Sequence, residues 1–183
     1  MSILDKVAAA VMPLANEEDR AEARAKFRGL TGNAEWVGMI LDHHLKLESL
    51  FAQALTAADS AGRAAAHKEL GVFLTGHANA EESVLYPAMV DTGHQHGATT
   101  AYSQQATAKT EMFLLEGLDP ASDDYTDKLT HVRDAVAQHM YEEEGTWFAD
   151  LAQSEADQAV LTKRYTEEFT RYVEGGDKPA LFN

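Results

Sequence analysis

Two copies of one short pattern carry the chemistry that this sequence offers: a histidine followed, four residues later, by a pair of glutamates. The copies place His77 before Glu81 and His139 before Glu143. Residues four apart lie one turn apart on the same face of an α-helix, so each pair presents an imidazole nitrogen and a carboxylate oxygen together. Such groups are ligands for a metal ion, and the two pairs predict a metal site with four of its ligands.

Both pairs interrupt stripes of apolar residues at helical spacing. The stripes contain Leu70, Phe73, Val84 and Ala88 around the first pair, and Val132, Val136 and Trp147 around the second. A buried carboxylate without a partner costs several kcal/mol, so both pairs need a compensating group. A metal ion is the partner that we expect. The alternative is two buried His–Glu hydrogen-bonded pairs without a metal.

Further ligands are expected from the helices that precede and separate the two copies. An apolar stripe that contains Val37, Leu41 and Phe51 also includes His44 and Glu48. The spacing predicts that His44 points inward and that the neighbouring His43 is exposed. Glu48 is either a further metal ligand or a solvated flanking residue paired with Lys46 or another neighbour.

Composition excludes several classes of protein and of site. The chain has 183 residues and a formal net charge of -15, so a nucleic-acid or anionic-membrane partner is not expected. It contains no cysteine, which excludes disulfides, thiolate metal sites and a cysteine nucleophile. A metal ion must therefore bind through nitrogen and oxygen. No signal peptide and no run of about 20 apolar residues is present, which predicts a soluble, cytoplasmic protein.

Periodicity and the scarcity of proline predict an all-α protein of one domain, residues 1–183. Four long helices are expected at about 34–57, 60–90, 99–118 and 122–152, with further helices at 17–30 and 155–173 and a short amphipathic stretch before Pro13. The loops between the long helices are short, which favours an antiparallel up-down-up-down four-helix bundle. The bundle would span 34–152, with an N-terminal helical extension (1–33) and a C-terminal helix and tail (153–183) outside it.

Three motifs together resemble the hemerythrin-like HHE cation-binding domain over roughly residues 34–152. They are Asp42, His43 and His44; HxxxEE from His77, followed by Leu85, Tyr86 and Pro87; and HxxxEE from His139. The resemblance implies a four-helix bundle that holds two non-haem irons joined by an oxo or hydroxo group. It implies terminal ligation by His44, His77 and His139, and bridging by the carboxylates of Glu81 and Glu143.

The third long helix departs from the family pattern because it lacks the usual histidine. Alignment places Ala108 at that position and Gln104 one turn earlier. Glu111 lies on the same stripe and is the best substitute ligand; otherwise it is an ordinary glutamate at the edge of the stripe. With Glu48 and Glu111 included, the site would be rich in carboxylates. We interpret Glu82, Glu142 and Glu144 as solvated and Tyr86 as a core aromatic.

These features predict a protein that binds, senses or reacts with O2, NO or peroxide, or that senses or stores iron. Carboxylate ligands favour the ferric state, so a pure oxygen carrier is disfavoured. The alternatives are a di-iron oxidase or peroxidase-like enzyme and an interaction bundle whose metal is structural or absent. Nitrogen and oxygen ligands would also accept manganese or zinc.

Overall fold

The computed structural model describes residues 15–32 and 34–175, and this part of the chain is all-helical, as predicted. Its helices are α1 (Glu17–Arg28), α2 (Glu35–Thr56), α3 (Ser60–Ala80), α4 (Tyr86–Asp91), α5 (Gln95–Leu115), α6 (Asp123–Glu142), α7 (Phe148–Ala152) and α8 (Gln158–Gly175). The predicted amphipathic stretch before Pro13 and the end of the C-terminal tail lie outside the described residues. Within them, none of the helices combines the length and apolar character needed to cross a membrane.

Local sequence explains where several helices begin and end. The side chains of Asn16, Asp59 and Ser122 cap α1, α3 and α6 by accepting a hydrogen bond from a backbone N–H of the first turn. After α4 the chain turns at Gly93, whose φ of +90° lies in the left-handed region that favours glycine. Because this turn is short, α5 begins at Gln95, earlier than predicted.

Each HxxxEE motif ends in a π-helical turn that the sequence reading did not predict. The first π turn, Glu81–Leu85, joins α3 to α4, and the second π turn, Glu143–Trp147, joins α6 to α7. In each turn a backbone N–H donates to the carbonyl five residues earlier: Tyr86 to Glu81, and Phe148 to Glu143. Single π turns within α-helices often lie at functional sites.

The long helices pack side by side, and the two outer helices each cover one π turn. Helix α2 packs against α3 and α6, and α5 packs against α6. Helix α1 packs against α2 and the second π turn, whereas α8 packs against α2, α3 and the first π turn.

Two apolar clusters fill the interior. One contains Trp36, Leu41, Ala80 and Phe148, and the other contains Leu47, Leu74, Val136 and Met140. Along α2, His44 lies between Leu41 of the first cluster and Leu47 of the second. His77 on α3 likewise lies between Leu74 and Ala80, whereas His139 on α6 borders Val136 and Met140 of the second cluster. A layer of polar side chains therefore separates two apolar regions.

Candidate metal centre

Four buried side chains meet within the polar layer. They are His44 from α2, His77 from α3, and Glu81 and Glu143, which open the two π turns. Each offers one ligand atom, and these atoms all lie within 4.8 Å of one another. Bonds of about 2.0–2.2 Å from nitrogen and oxygen ligands to a transition metal place the ligand atoms of one ion up to about 4.4 Å apart. We call these four residues the ligand group. Their ligand atoms could bind a single metal ion after the side chains move slightly closer together.

The atoms that face the centre of the ligand group lack hydrogen-bond partners. Among the described residues, this holds for His44 Nε2, Glu81 Oε1 and Glu143 Oε2, all of which are buried. His44 Nε2 lies 3.3 Å from Glu143 Oε2, and His77 Nε2 lies 3.2 Å from Glu81 Oε1, but neither contact has hydrogen-bond geometry. Each unpaired buried polar atom costs about 1–3 kcal/mol. A cation bound among these atoms would remove that cost, so the residues fit a metal ion.

The outward nitrogen of each inward histidine is held by another side chain. The partner at Nδ1 is Glu144 for His44 at 2.7 Å, Tyr165 for His77 at 3.1 Å, and Gln104 for His139 at 2.6 Å. An acceptor at Nδ1 keeps the proton on that nitrogen and leaves the Nε2 lone pair available to a metal ion. Metal-ligating histidines in proteins almost always have such a partner.

The hydrogen bonds around His77 fix its protonation in this way. We assign His77 Nδ1–H as the donor to Tyr165 Oη, and the Tyr165 hydroxyl as the donor to His43 Nδ1 at 2.8 Å. Burial and the charge of His44 lower the pKa of His43 to about 4, so its ring is neutral and can accept this bond. Burial, followed by the charge of His44, also holds the pKa of His77 well below its usual value. His77 is therefore neutral, with a free Nε2.

The two carboxylates of the ligand group have different environments. Burial, together with the negative charge of Glu143, raises the pKa of Glu81 well above its usual value. Burial would also raise the pKa of Glu143, but His139 and His44 stabilise its charged form and lower it. Burial lowers the pKa of His44, yet the hydrogen bond to Glu144 and the negative charges of Glu143 and Glu144 outweigh this effect and raise it. Without a metal, a proton therefore competes for the place that a cation would take.

His139 lies beside the ligand group rather than within it. Its Nε2 is 3.1 Å from Glu143 Oε1 and 3.2 Å from the hydroxyl of Tyr86. Tyr86 donates to Glu143 Oε1 at 2.8 Å. Tyr86 is buried, as expected of a core aromatic, but its hydroxyl is also part of the polar layer, a role that the sequence reading missed.

The third long helix, α5, contributes amides where the family pattern has a histidine. Gln104 holds His139, and the Gln105 amide donates to Glu81 Oε2. Glu111, the predicted substitute ligand, is outside the ligand group and forms an ion pair with Lys128 of α6. The lysine across the α5–α6 interface thus satisfies the carboxylate that we expected to turn inward.

Glu48 is also outside the ligand group. Its side chain is 41% exposed and pairs with Arg24 of α1 at 2.8 Å. Lys46 pairs with Glu69, so Glu48 matches the alternative of a flanking residue paired with another neighbour. Helix α1 therefore binds the Glu48 carboxylate, which lies on the apolar stripe of α2 and was one of the candidate ligands.

Two neighbours of the ligands differ from the sequence predictions because the outer helices cover them. Glu144, predicted to be solvated, is only 2% exposed, and Arg24 binds both of its carboxylate oxygens at 3.1 Å. His43, predicted to be exposed, is half-buried beneath α8 and lies 4.0 Å from the ring of Phe169, centre to centre. Periodicity along one helix does not reveal a second packing partner.

Two cavities of about 730 and 410 Å³ border α1, and neither is lined by a member of the ligand group. The first is lined in part by Arg24 and Glu48, and the second in part by Glu144. The side chains of the ligand group are at most 2% exposed, so the candidate metal site is buried, and both of these cavities lie outside it. Two imidazoles and two carboxylates form a ligand set that iron, manganese and zinc all accept.

Comparison with known proteins agrees with this arrangement. The family model for the hemerythrin HHE cation-binding domain matches residues 37–151. A curated protein described as a DNA nickase, from Nostoc sp. (strain PCC 7120 / SAG 25.82 / UTEX 2576), is 25% identical over 158 residues, which cover 81% of this chain and 44% of that protein. The chain therefore spans less than half the length of this relative. No solved structure matches the chain significantly.

The segment matched by the family model is more than half of the chain and contains every member of the ligand group together with His139. Both HxxxEE motifs also contribute to the buried site in the way that a cation-binding domain requires. The chain accordingly belongs to the hemerythrin HHE cation-binding domain family.

Proposed function

We propose that this protein binds iron in the ligand group formed by His44, His77, Glu81 and Glu143, and uses it to sense or react with O2, NO or peroxide. The observation that carries this proposal is the convergence of buried ligand atoms without hydrogen-bond partners within the described residues. Iron held by four protein ligands would supply redox chemistry and open coordination positions for a small ligand. The protein's own residues hold the ligand histidines in one tautomer and exclude bulk water.

We propose that a second iron ion binds next to the first, giving a dinuclear centre, and that it binds less tightly. It would use His139, with Glu81 and Glu143 shared between the two ions. Around His139 the fit is weaker, because the Tyr86 hydroxyl donates to Glu143 Oε1 and lies 3.2 Å from His139 Nε2, in the space that a second ion would need. Tyr86 must rotate or change partners before a second ion enters. Titration of metal-free protein with ferrous iron is expected to show one tight and one weaker equivalent, and two equivalents of equal affinity would contradict this order.

The up-down-up-down bundle is proposed as the frame for the centre. It would consist of α2, the continuous helix from α3 to α4, α5, and the continuous helix from α6 to α7. The short connections and the packing of α2 with α3 and α6, and of α5 with α6, support this order. Each of these helices contributes a side chain to the polar layer.

A small ligand suits the site better than an organic substrate. The ligand-group residues are at most 2% exposed, and the cavities beside α1 do not reach them. An oxidase acting on an organic molecule would need a substrate-sized space next to the metal. This observation supports sensing or reaction with a diatomic molecule or peroxide over the oxidase alternative.

The side chains of α5 disfavour reversible oxygen carriage. Glu48 and Glu111, which would have added carboxylate ligands, form ion pairs with Arg24 and Lys128. Helix α5 offers the amides of Gln104 and Gln105 in place of an imidazole, so fewer neutral nitrogen ligands stabilise the ferrous state. We propose that oxygen exposure of the ferrous protein gives irreversible oxidation. A stable oxygenated spectrum that disappears on removal of oxygen would show a carrier instead.

Metal analysis tests the central proposal directly. Protein purified without added metal should contain at least about one transition metal ion per chain, and metal-free protein should melt at a higher temperature after iron is added, because ligands that bind the native state stabilise it. A lower metal content, together with an unchanged melting temperature, would leave only a metal-free interaction bundle.

DNA cleavage, suggested by the name of the Nostoc relative, is not the activity that we propose. A formal net charge of -15 opposes binding to DNA phosphates, and the chain spans only 44% of that relative. Supercoiled plasmid incubated with iron- or manganese-loaded protein should remain supercoiled. Nicking by the wild type but not by a Glu81→Gln variant would overturn this conclusion.

A further inference from the structure

The two helices outside the matched family segment each hold one ligand histidine in place. Helix α1 does so through Arg24, and α8 does so through Tyr165. Both residues lie outside residues 37–151, the part of the chain that the family model matches. They therefore belong to this chain's extensions rather than to the matched domain.

On the α1 side, a guanidinium holds the carboxylate that orients His44. Arg24 Nε lies 3.1 Å from both carboxylate oxygens of Glu144, and Arg24 Nη2 lies 3.0 Å from Oε1. Glu48 accepts two further bonds from the same guanidinium, at 2.8 and 3.1 Å. Bidentate arginine–carboxylate pairs fix direction as well as charge. Glu144 in turn accepts from His44 Nδ1 at 2.7 Å.

On the α8 side, a fully buried hydroxyl orients His77. Tyr165 has no exposed surface, and its Oη lies 3.1 Å from His77 Nδ1 and 2.8 Å from His43 Nδ1. A neutral hydroxyl is a weaker acceptor for the imidazole N–H than a carboxylate is. The two ligand histidines therefore receive different support: a charged partner for His44 and a neutral partner for His77.

We propose that Arg24 and Tyr165 are positioning residues through which helices α1 and α8 set the affinity and reduction potential of the metal centre. This inference rests on the proposed binding of iron by the ligand group. Arg24 aligns Glu144 and offsets its negative charge, whereas Tyr165 fixes the His77 ring and its tautomer. The working metal-binding unit thus extends from α1 to α8, beyond the matched family segment.

Affinity measurements on Arg24→Gln and Tyr165→Phe test the positioning role. Loss of a group that orients a ligand costs about 10- to 100-fold in metal affinity, and we expect losses in that range for both variants. Arg20→Gln on α1 and Tyr172→Phe on α8 are matched controls, because among the described residues neither side chain forms a hydrogen bond or ion pair with a ligand or its partner; both should bind iron as the wild type does. Circular dichroism establishes that each variant is folded.

The reduction potential separates positioning from a general loss of structure. Arg24→Gln leaves the charge of Glu144 uncompensated and should lower the potential, whereas Glu144→Gln removes that charge and should raise it. Arg24→Lys retains the charge and should restore much of the wild-type potential. Shifts of the same sign in Arg24→Gln and Glu144→Gln would overturn the inference.

The outcomes also distinguish this inference from the proposed function. Wild-type protein that binds no iron would refute the proposed function itself. Wild-type protein that binds iron, with folded Arg24→Gln and Tyr165→Phe variants matching it in affinity and potential, would refute only the role of the two helices.

Discussion

Replacing Glu81 by glutamine should stabilise the metal-free protein and abolish its response to iron. In the wild type, Glu81 Oε1 faces His77 Nε2 at 3.2 Å, and neither atom donates a hydrogen bond to the other. A glutamine amide at this position can donate to His77 Nε2, and it also replaces a carboxyl group whose charged form is disfavoured by burial and by Glu143, which raise its pKa. The same change removes one of the four metal ligands. Stability and metal binding should thus move in opposite directions.

The size of the effect follows from the unpaired atom. An unsatisfied buried acceptor costs about 1–3 kcal/mol, and a gain of about 2 kcal/mol corresponds to a rise of about 4–8 °C in melting temperature for a chain of this size. Iron at about 100 times its dissociation constant should stabilise the wild type by about 2.7 kcal/mol and should not stabilise Glu81→Gln. Thermal melting monitored by circular dichroism, with and without ferrous iron under anaerobic conditions, measures both quantities.

Glu111→Gln is the matched control for this substitution. Glu111 pairs with Lys128 outside the ligand group, so its replacement should change stability by no more than about 1 kcal/mol and should preserve the iron-dependent shift. If metal-free Glu81→Gln melts below the wild type and still gains the full shift with iron, the unpaired atoms do not mark a metal site. If Glu111→Gln loses the shift, the ligand set has been assigned to the wrong residues.

Three further predictions concern the surroundings of the site. Glu48→Gln should leave the metal content unchanged in elemental analysis and reduce the free energy of unfolding by no more than about 1 kcal/mol, because Glu48 is partly exposed and pairs with Arg24. Loss of metal from this variant would show that Glu48 is a ligand after all. Gly97→Ala should lower the free energy of unfolding, measured in urea, by about 1–3 kcal/mol, because the new Cβ would lie 2.9 Å from Trp147 Cδ1. Gly145→Ala should be tolerated, because its Cβ would meet only Ala23 Cβ, at 3.6 Å. Equal effects of the two substitutions would contradict this packing. Burial lowers the pKa of His67, so the unfolded chain binds more protons at this residue than the folded chain does. The free energy of unfolding should therefore fall as the pH drops through about 6.5. In His67→Gln the difference in melting temperature between about pH 7 and about pH 5.5 should be smaller than in the wild type.

Much of the site could be predicted from local patterns. The i,i+4 spacing placed His77 with Glu81 and His139 with Glu143 on helical faces, and the apolar stripe of α2 correctly turned His44 inward. The long helices were also predicted within a few residues, because their apolar periodicity and capping residues are local features. Ligation by these residues stays a prediction until a metal is measured.

What the sequence left open or misplaced depends on contacts between elements distant in the sequence. Glu48, Glu111 and Glu144 all lie near inward stripes or motifs, but their positions depend on which cation lies opposite. Arg24 engages Glu48 and Glu144, and Lys128 engages Glu111. No spacing rule along a single helix identifies such partners.

Helical periodicity is a property of consecutive residues, and it was sufficient to predict an all-helical chain in which both HxxxEE motifs and His44 face the interior. The convergence of His44, His77, Glu81 and Glu143, with His139 beside them next to Tyr86, depends on how the separate helices pack. The tertiary structure also brought Arg24 and Tyr165 to the outward nitrogens of the histidine network. The direction of a buried hydrogen bond depends on how separate helices pack. The packing of α1 and α8 cannot be read from the apolar periodicity of the helices that α1 and α8 cover.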